Sequence, residues 1–123
     1  MPRLNNHRIL ARGVQYVFWP SLLREIRKRE GEESFYVACE VNLLVLDEIK
    51  GHHDPSGFAK DTLYELINRR IGRWTVITSN LTMSGLEAID ARIASRLTRT
   101  PNVIVECNTK PYAKRQQEEP KLC

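Results

Sequence analysis

Residues 41–49 read VNLLVLDEI, an apolar run that stops at two adjacent carboxylates, Asp47 and Glu48. A strand buried inside a parallel sheet has this continuous apolar character. Ligands of open α/β sheets gather just beyond the carboxyl ends of such strands. The run therefore predicts a buried parallel strand, and the carboxylate pair at its end suits a divalent metal ion and an activated water.

The carboxylate pair has two interpretations. An apolar strand that ends in Asp-Glu is the Walker B pattern of nucleotide hydrolases, in which the aspartate helps to hold Mg²⁺. The alternative is a core strand that ends in a solvated acidic turn. The pattern favours the nucleotide site and leaves the acidic turn open.

Composition narrows the class of protein. The chain has 123 residues, 41% of them hydrophobic and 28% charged, which is typical of one globular domain. No apolar run approaches the roughly 20 residues that span a bilayer, and the first residues lack the apolar core of a signal peptide. We therefore expect a cytoplasmic protein with no membrane contact. Cys39, Cys107 and Cys123 have no paired spacing, which indicates reduced thiols.

The net charge of +4 comes from 19 Lys and Arg residues against 15 Asp and Glu residues. Guanidinium groups suit bidentate contacts with phosphate. A charge of this size is weak support for nucleic-acid binding, because much of it belongs to ordinary solvated surface.

The rest of the chain alternates between strand and helix patterns. Besides the strand at 41–49, strands are predicted at 14–19, 74–78 and 103–107. Helices are predicted at 22–31, 33–40, 58–71, 83–89 and 91–97. Ser79 and Asn80 end the strand at 74–78. The order β-α-β-α-β-α-β indicates an α/β fold with a parallel sheet and helices on both faces, which makes three layers.

The loop at residues 51–57 contains His52, His53 and Asp54. These residue types allow a metal site. An ordinary loop is favoured, because adjacent histidines rarely aim at one ion and no further cluster of ligands is evident. Ser56 is a candidate cap for the helix that follows.

Four segments together resemble one protein family. The runs LLVLDEI, LYELINRR, TVITSNL and DARIASRL occur in the order and spacing found in AAA+ ATPases of the DnaC/IstB type. Members of this family are bacterial and phage helicase loaders and transposition helpers. The resemblance covers roughly Leu10 to Val105, and it implies a P-loop NTPase fold and ATP hydrolysis.

The resemblance implies a role for each polar residue at the strand ends. Asp47 would bind Mg²⁺ through water, and Glu48 would act as general base on the attacking water. Asn80 matches the sensor 1 position, where an amide holds the water or the γ-phosphate. Arg96 matches the arginine finger that acts on ATP in the neighbouring subunit. Arg92 is a second candidate for contact with the nucleotide, and solvated charges or a helix cap are the structural alternatives for Asn80, Arg92 and Arg96.

One departure from the family concerns the phosphate site. The chain contains no G-x-x-x-x-G-K-[ST], the P-loop whose backbone N–H groups and lysine hold the phosphates. Residues 9–13 look like the last turn of the helix that follows a P-loop. We therefore expect residues 1–109 to form a partial AAA+ core without its first strand, followed by a polar tail at 110–123. In the family fold the missing strand lies between the sensor 1 strand and the last strand.

Three functions are considered for this chain. The first is an ATP- and Mg²⁺-dependent helicase loader or transposition helper, whose partners would be a replicative helicase or transposase, single-stranded DNA and further copies of itself. The second is a non-catalytic module that docks on an intact ATPase subunit or helicase and supplies Arg96. A basic nucleic-acid-binding domain is the third and weakest option, since no aromatic platform for single strands is evident.

Overall fold

A computed structural model describes residues 13–51 and 54–107. Its strands are β1 (Val14–Phe18), β2 (Leu43–Ile49) and β3 (Trp74–Ser79), and its helices are α1 (Trp19–Arg27), α2 (Glu32–Glu40), α3 (Phe58–Arg69), α4 (Met83–Ile89) and α5 (Ala91–Leu97). The boundaries lie within a few residues of those predicted. The last helical turn predicted at residues 9–13 falls outside the described residues except for Gly13, and so does the whole polar tail at 110–123.

The three strands form one parallel sheet in the order β1-β2-β3. Val45 at the centre of β2 lies opposite Tyr16 of β1 and Val76 of β3. The predicted α/β class and parallel sheet are confirmed, and the arrangement is of the Rossmann-like kind. None of the helices within the described residues is long and apolar enough to cross a membrane.

One face of the sheet carries the core. Leu44 and Leu46 of β2 are fully buried beneath the helices. All five helices contribute side chains to this one core cluster, among them Leu22, Leu23, Ala38, Leu63, Leu66, Leu86 and Ile93. Apolar side chains at period 2 on the strands and at period 3.6 on the helices meet here, so the described residues form two layers.

The other face of the sheet is open among the described residues. Trp74 is 80% exposed, Val14 67% and Tyr16 59%, and Val76 beside them is also exposed. The predicted second layer of helices therefore has no counterpart in residues 13–51 and 54–107. The apolar run of β2 led to this error, because Leu43 and Val45 on the open face are as apolar as Leu44 and Leu46 on the covered one.

The predicted last strand is wrong. Residues 103–107 form no strand, and Val103 and Val105 are 84% and 76% exposed. A strand needs a neighbour for its backbone hydrogen bonds, and the neighbour expected for this segment is the strand that precedes a P-loop. β3 is accordingly an edge strand of the described sheet.

Short polar side chains set the helix starts at the carboxyl edge of the sheet. Asp54 accepts hydrogen bonds from the backbone N–H groups of Ala59 and Lys60, both at 3.2 Å, and thereby caps α3. Ser56 also accepts from the N–H of Phe58, at 3.3 Å, as predicted. The aspartate of the possible metal loop therefore serves as a helix cap. His52 and His53 lie outside the described residues.

Candidate functional site at the carboxyl edge of the sheet

Asp47 is held between two hydroxyl groups from the neighbouring strands. The phenol of Tyr16 on β1 donates to Oδ2 at 2.5 Å, and the hydroxyl of Thr78 on β3 donates to Oδ1. The hydrogen bonds from Thr78 and then from Tyr16 hold the pKa of Asp47 below its usual value. The same contact with Asp47 raises the pKa of Tyr16. At neutral pH the group is therefore an ionised carboxylate between two neutral hydroxyls.

The backbone bends immediately after Asp47. Glu48 has a φ of 68°, in the left-handed region that is uncommon for a residue with a side chain. Its N–H donates to Oγ1 of Thr78 at 2.9 Å, and the pairing register between β2 and β3 shifts between Leu46 and Ile49. Bulges of this kind re-aim side chains at the end of a strand. The carboxylate of Glu48 lies 3.1 Å from Nζ of Lys50, so action as a general base would require this exposed ion pair to open.

Asn80 follows β3 directly and is exposed. Since β2 and β3 are adjacent and parallel, their carboxyl ends lie at the same edge. Ser79 ties the two ends together, because its hydroxyl donates to the carbonyl of Ile49 at 2.6 Å. A parallel sheet, as predicted from the sequence, requires two such strand-end residues to share one edge, and Asp47 and Asn80 do so. The role of Asn80 toward a phosphate stays a prediction.

Arg92 forms two ion pairs within the molecule. Its guanidinium lies 2.8 Å from the carboxylate of Asp61 and 2.8 Å from that of Asp90, and 4.5 Å above the ring of Tyr64. These carboxylates raise the pKa of Arg92, the hydrogen bond to Asp90 being the largest cause. Asp90 is nearly buried and also caps α5. These contacts involve Nε and Nη2, so a nucleotide would have to contact Arg92 through Nη1 or displace one of the ion pairs.

Arg96 has a different environment from Arg92. It is half-buried, donates to Oη of Tyr64 at 3.3 Å, and lies 5.9 Å from the centre of that ring. Within residues 13–51 and 54–107, no carboxylate forms an ion pair with it. An arginine finger has to reach the neighbouring subunit, and the side chain of Arg96 is only partly accessible. Tyr64 therefore orients a cation whose charge is not neutralised locally.

Sequence reasoning missed Tyr16 and Thr78. Thr78 follows Ile77, the partner of Leu46, and so lies beside Asp47 where the register shifts. Tyr16 pairs with Val45 and so lies diagonally beside Asp47 on the same face. Strand periodicity and the parallel order contain this signal, but the register between strands had to be known first.

The donor set fits only part of a magnesium site. The described residues contain no group of three His, Cys, Asp or Glu side chains that could hold a metal ion. Mg²⁺ commonly keeps several waters and is held by one or two carboxylates together with phosphate oxygens of a substrate. Asp47 suits that arrangement, with phosphates supplying the other ligands.

The chain was compared with protein-family models, with curated proteins and with solved structures, and none of the three comparisons gave a match. The function is therefore inferred from the sequence motifs and from the geometry at the carboxyl edge of the sheet.

Proposed function

We propose that this chain is a partial AAA+ core of the DnaC/IstB helicase-loader type, one that carries the Walker B and sensor 1 strands without the P-loop. The observation that supports the proposal most is the ionised Asp47, fixed at the carboxyl end of a central parallel strand. Asn80 ends the adjacent strand at the same edge. Carboxylate and amide at neighbouring strand ends suit a metal-bound triphosphate and its attacking water.

Each side chain has a part in this proposal. Asp47 would hold Mg²⁺ through water, and the bound ion would supply positive charge next to the phosphates. Glu48 takes the proton of the attacking water once Lys50 has moved aside, and Asn80 orients that water or the γ-phosphate. Arg96 stabilises the transferring phosphoryl group of ATP bound to a neighbouring subunit.

The open edge of β3 also supports the proposal. An AAA+ core places a further strand on the far side of the sensor 1 strand, followed by the last strand. In the described residues β3 has no neighbour on that side, and the β-branched residues 103–105 are exposed. A core that lacks only the P-loop strand would have these two features together.

The partners follow from the family and are part of the proposal. A loader of this type acts on a replicative helicase or a transposase, contacts single-stranded DNA and assembles with copies of itself. The sheet face with Val14, Tyr16, Trp74 and Val76 exposes large apolar side chains, and exposed apolar patches commonly mark sites of contact with other protein segments.

The second candidate function is a non-catalytic module that supplies Arg96 to an intact ATPase subunit. Two observations favour it. The chain lacks the backbone cradle for phosphates, and Arg96 has no carboxylate ion pair within the described residues. In this case Asp47 and Glu48 would have no catalytic role, because the chain would bind no nucleotide.

We expect the chain by itself to bind Mg-ATP no more tightly than about 1 mM, which corresponds to about 4 kcal/mol. The reason is that Asp47 cannot hold a triphosphate without a cradle of backbone N–H groups. Calorimetric titration of the chain with Mg-ATP measures this directly. A micromolar dissociation constant would contradict it and would reveal a different nucleotide site.

The proposal itself is tested by completing the site. A strand, P-loop and helix from a DnaC/IstB-type protein are fused ahead of Gly13, and the product is called the completed protein below. We expect the completed protein to bind Mg-ATP with a micromolar dissociation constant, and a lysine-to-alanine change in the added P-loop to abolish that binding. A folded fusion without ATP binding would contradict the proposed function.

A further inference from the structure

Two residues outside the family motifs, Tyr16 and Thr78, donate hydrogen bonds to Asp47. We propose that Tyr16 and Thr78 are positioning residues, which fix the carboxylate of Asp47 for a divalent cation. The inference rests on the proposed function, in that Asp47 must be the group that meets the cation. It adds that the cation site depends on β1 and β3 as much as on β2.

The hydrogen-bond pattern fixes the carboxylate from both sides. Oδ2 accepts from Tyr16 and Oδ1 accepts from Thr78, so rotation of the carboxylate would break both bonds. An ionised carboxylate has about two acceptor positions on each oxygen. One position on each oxygen is therefore filled, and the other remains for a water of the cation's hydration shell.

Thr78 is itself oriented by the backbone. The N–H of Glu48 donates to Oγ1 of Thr78 at 2.9 Å. With this acceptor position filled, the hydroxyl proton of Thr78 is directed to Asp47. The register shift after Leu46 and the left-handed conformation of Glu48 accompany this contact at the end of β2.

Tyr16 is not placed by burial. Its side chain is 59% exposed on the open face, where packing contributes little to its orientation. Its most specific contact is the bond to Asp47. Hydrogen-bond partners of metal ligands typically change metal affinity by about 10–100-fold when they are removed. We expect both hydroxyls to have effects near the lower end of that range, because the cation is held through water.

The test uses Mn²⁺ as a paramagnetic probe and the chain as it is. Mn²⁺ is titrated into the millimolar range, and broadening of the backbone amide signals of Asp47 and Glu48 is followed by NMR. We expect Tyr16→Phe and Thr78→Val to weaken Mn²⁺ binding about tenfold. Thr78→Ser keeps the hydroxyl and should bind within about twofold of the unchanged chain. Urea midpoints of all variants are measured so that an unfolded variant is recognised and left out of the comparison.

Asp47→Asn separates the two proposals. If this variant loses the broadening while Tyr16→Phe and Thr78→Val keep the affinity of the unchanged chain, the positioning role is overturned and the metal role of Asp47 remains. If the unchanged chain shows no broadening at Asp47, or if Asp47→Asn retains it, the positioning role is overturned, while the proposed function is decided separately by ATP binding of the completed protein. If Thr78→Ser loses as much Mn²⁺ affinity as Thr78→Val, the role of the hydroxyl is also overturned, because serine keeps the hydroxyl and lacks only the methyl group.

Discussion

Replacing Arg70 by methionine should lower the free energy of unfolding by about 3–5 kcal/mol, a large part of the roughly 5–15 kcal/mol that stabilises a typical domain. Arg70 is 3% exposed, although it is one of the most polar residues in the chain. Burial lowers its pKa. No carboxylate within the described residues pairs with it, and its partners are carbonyl and hydroxyl oxygens.

The guanidinium of Arg70 joins α2 to the amino end of β3. Nη1 donates to the carbonyls of Ala38 at 2.9 Å and Val41 at 2.7 Å, and Nη2 donates to that of Trp74 at 2.6 Å. Nε donates to the hydroxyl of Thr75 at 2.7 Å. Methionine fills a similar volume but satisfies none of these acceptors, so buried carbonyls at the end of α2 would be left without a partner.

Urea unfolding followed by the fluorescence of the buried Trp19 measures this effect. The matched control is Arg69→Met, one position earlier on α3. Arg69 is exposed and pairs with Glu65 at 2.9 Å within the same helix, so its replacement should cost less than about 1 kcal/mol. Equal unfolding free energies for the two variants would contradict the account of Arg70.

Replacing Arg96 by alanine should reduce ATP turnover of the completed, assembled protein by about 10³-fold or more while ATP affinity stays nearly unchanged. The proposed contact is made to the phosphoryl group as charge develops, and such a contact is stronger in the transition state than in the ground state. The measurement is steady-state ATP hydrolysis together with a nucleotide binding titration.

Arg92→Ala is the informative comparison for Arg96. It leaves the nearly buried Asp90 without its guanidinium partner. We therefore expect Arg92→Ala to lower stability, with turnover per folded molecule changed much less than in Arg96→Ala. If Arg96→Ala retains full turnover, Arg96 serves the packing against Tyr64, and the proposed arginine finger is wrong.

Much of the fold follows from the sequence because its patterns are local. The β-branched and apolar runs at β1, β2 and β3 indicated each strand, and their alternation with helices indicated a parallel sheet. The placement of Asp47 and Asn80 at one edge then followed from strand direction alone. These inferences needed neither the register nor the packing of the helices.

Features that depend on contacts between distant residues were not predictable in the same way. Tyr16 and Asp47 are 31 residues apart, and their contact depends on the register of β1 and β2. Arg70 looks like one of two adjacent exposed arginines, and only the approach of α2 makes it buried. The run at 103–107 has the composition of a strand, but composition does not supply a neighbouring strand.

The assignment of Asp47 and Glu48 to nucleotide hydrolysis is tested by ATP turnover of the completed protein and of its Asp47→Asn and Glu48→Gln variants. All three proteins should bind ATP, since the added P-loop supplies the phosphate cradle. We expect Mg²⁺-dependent turnover in the completed protein and a loss of about 10²-fold or more in each variant, because metal positioning or proton transfer is removed. Turnover that is unchanged by both substitutions would contradict the claim that the carboxyl end of β2 is a nucleotide-hydrolysis site.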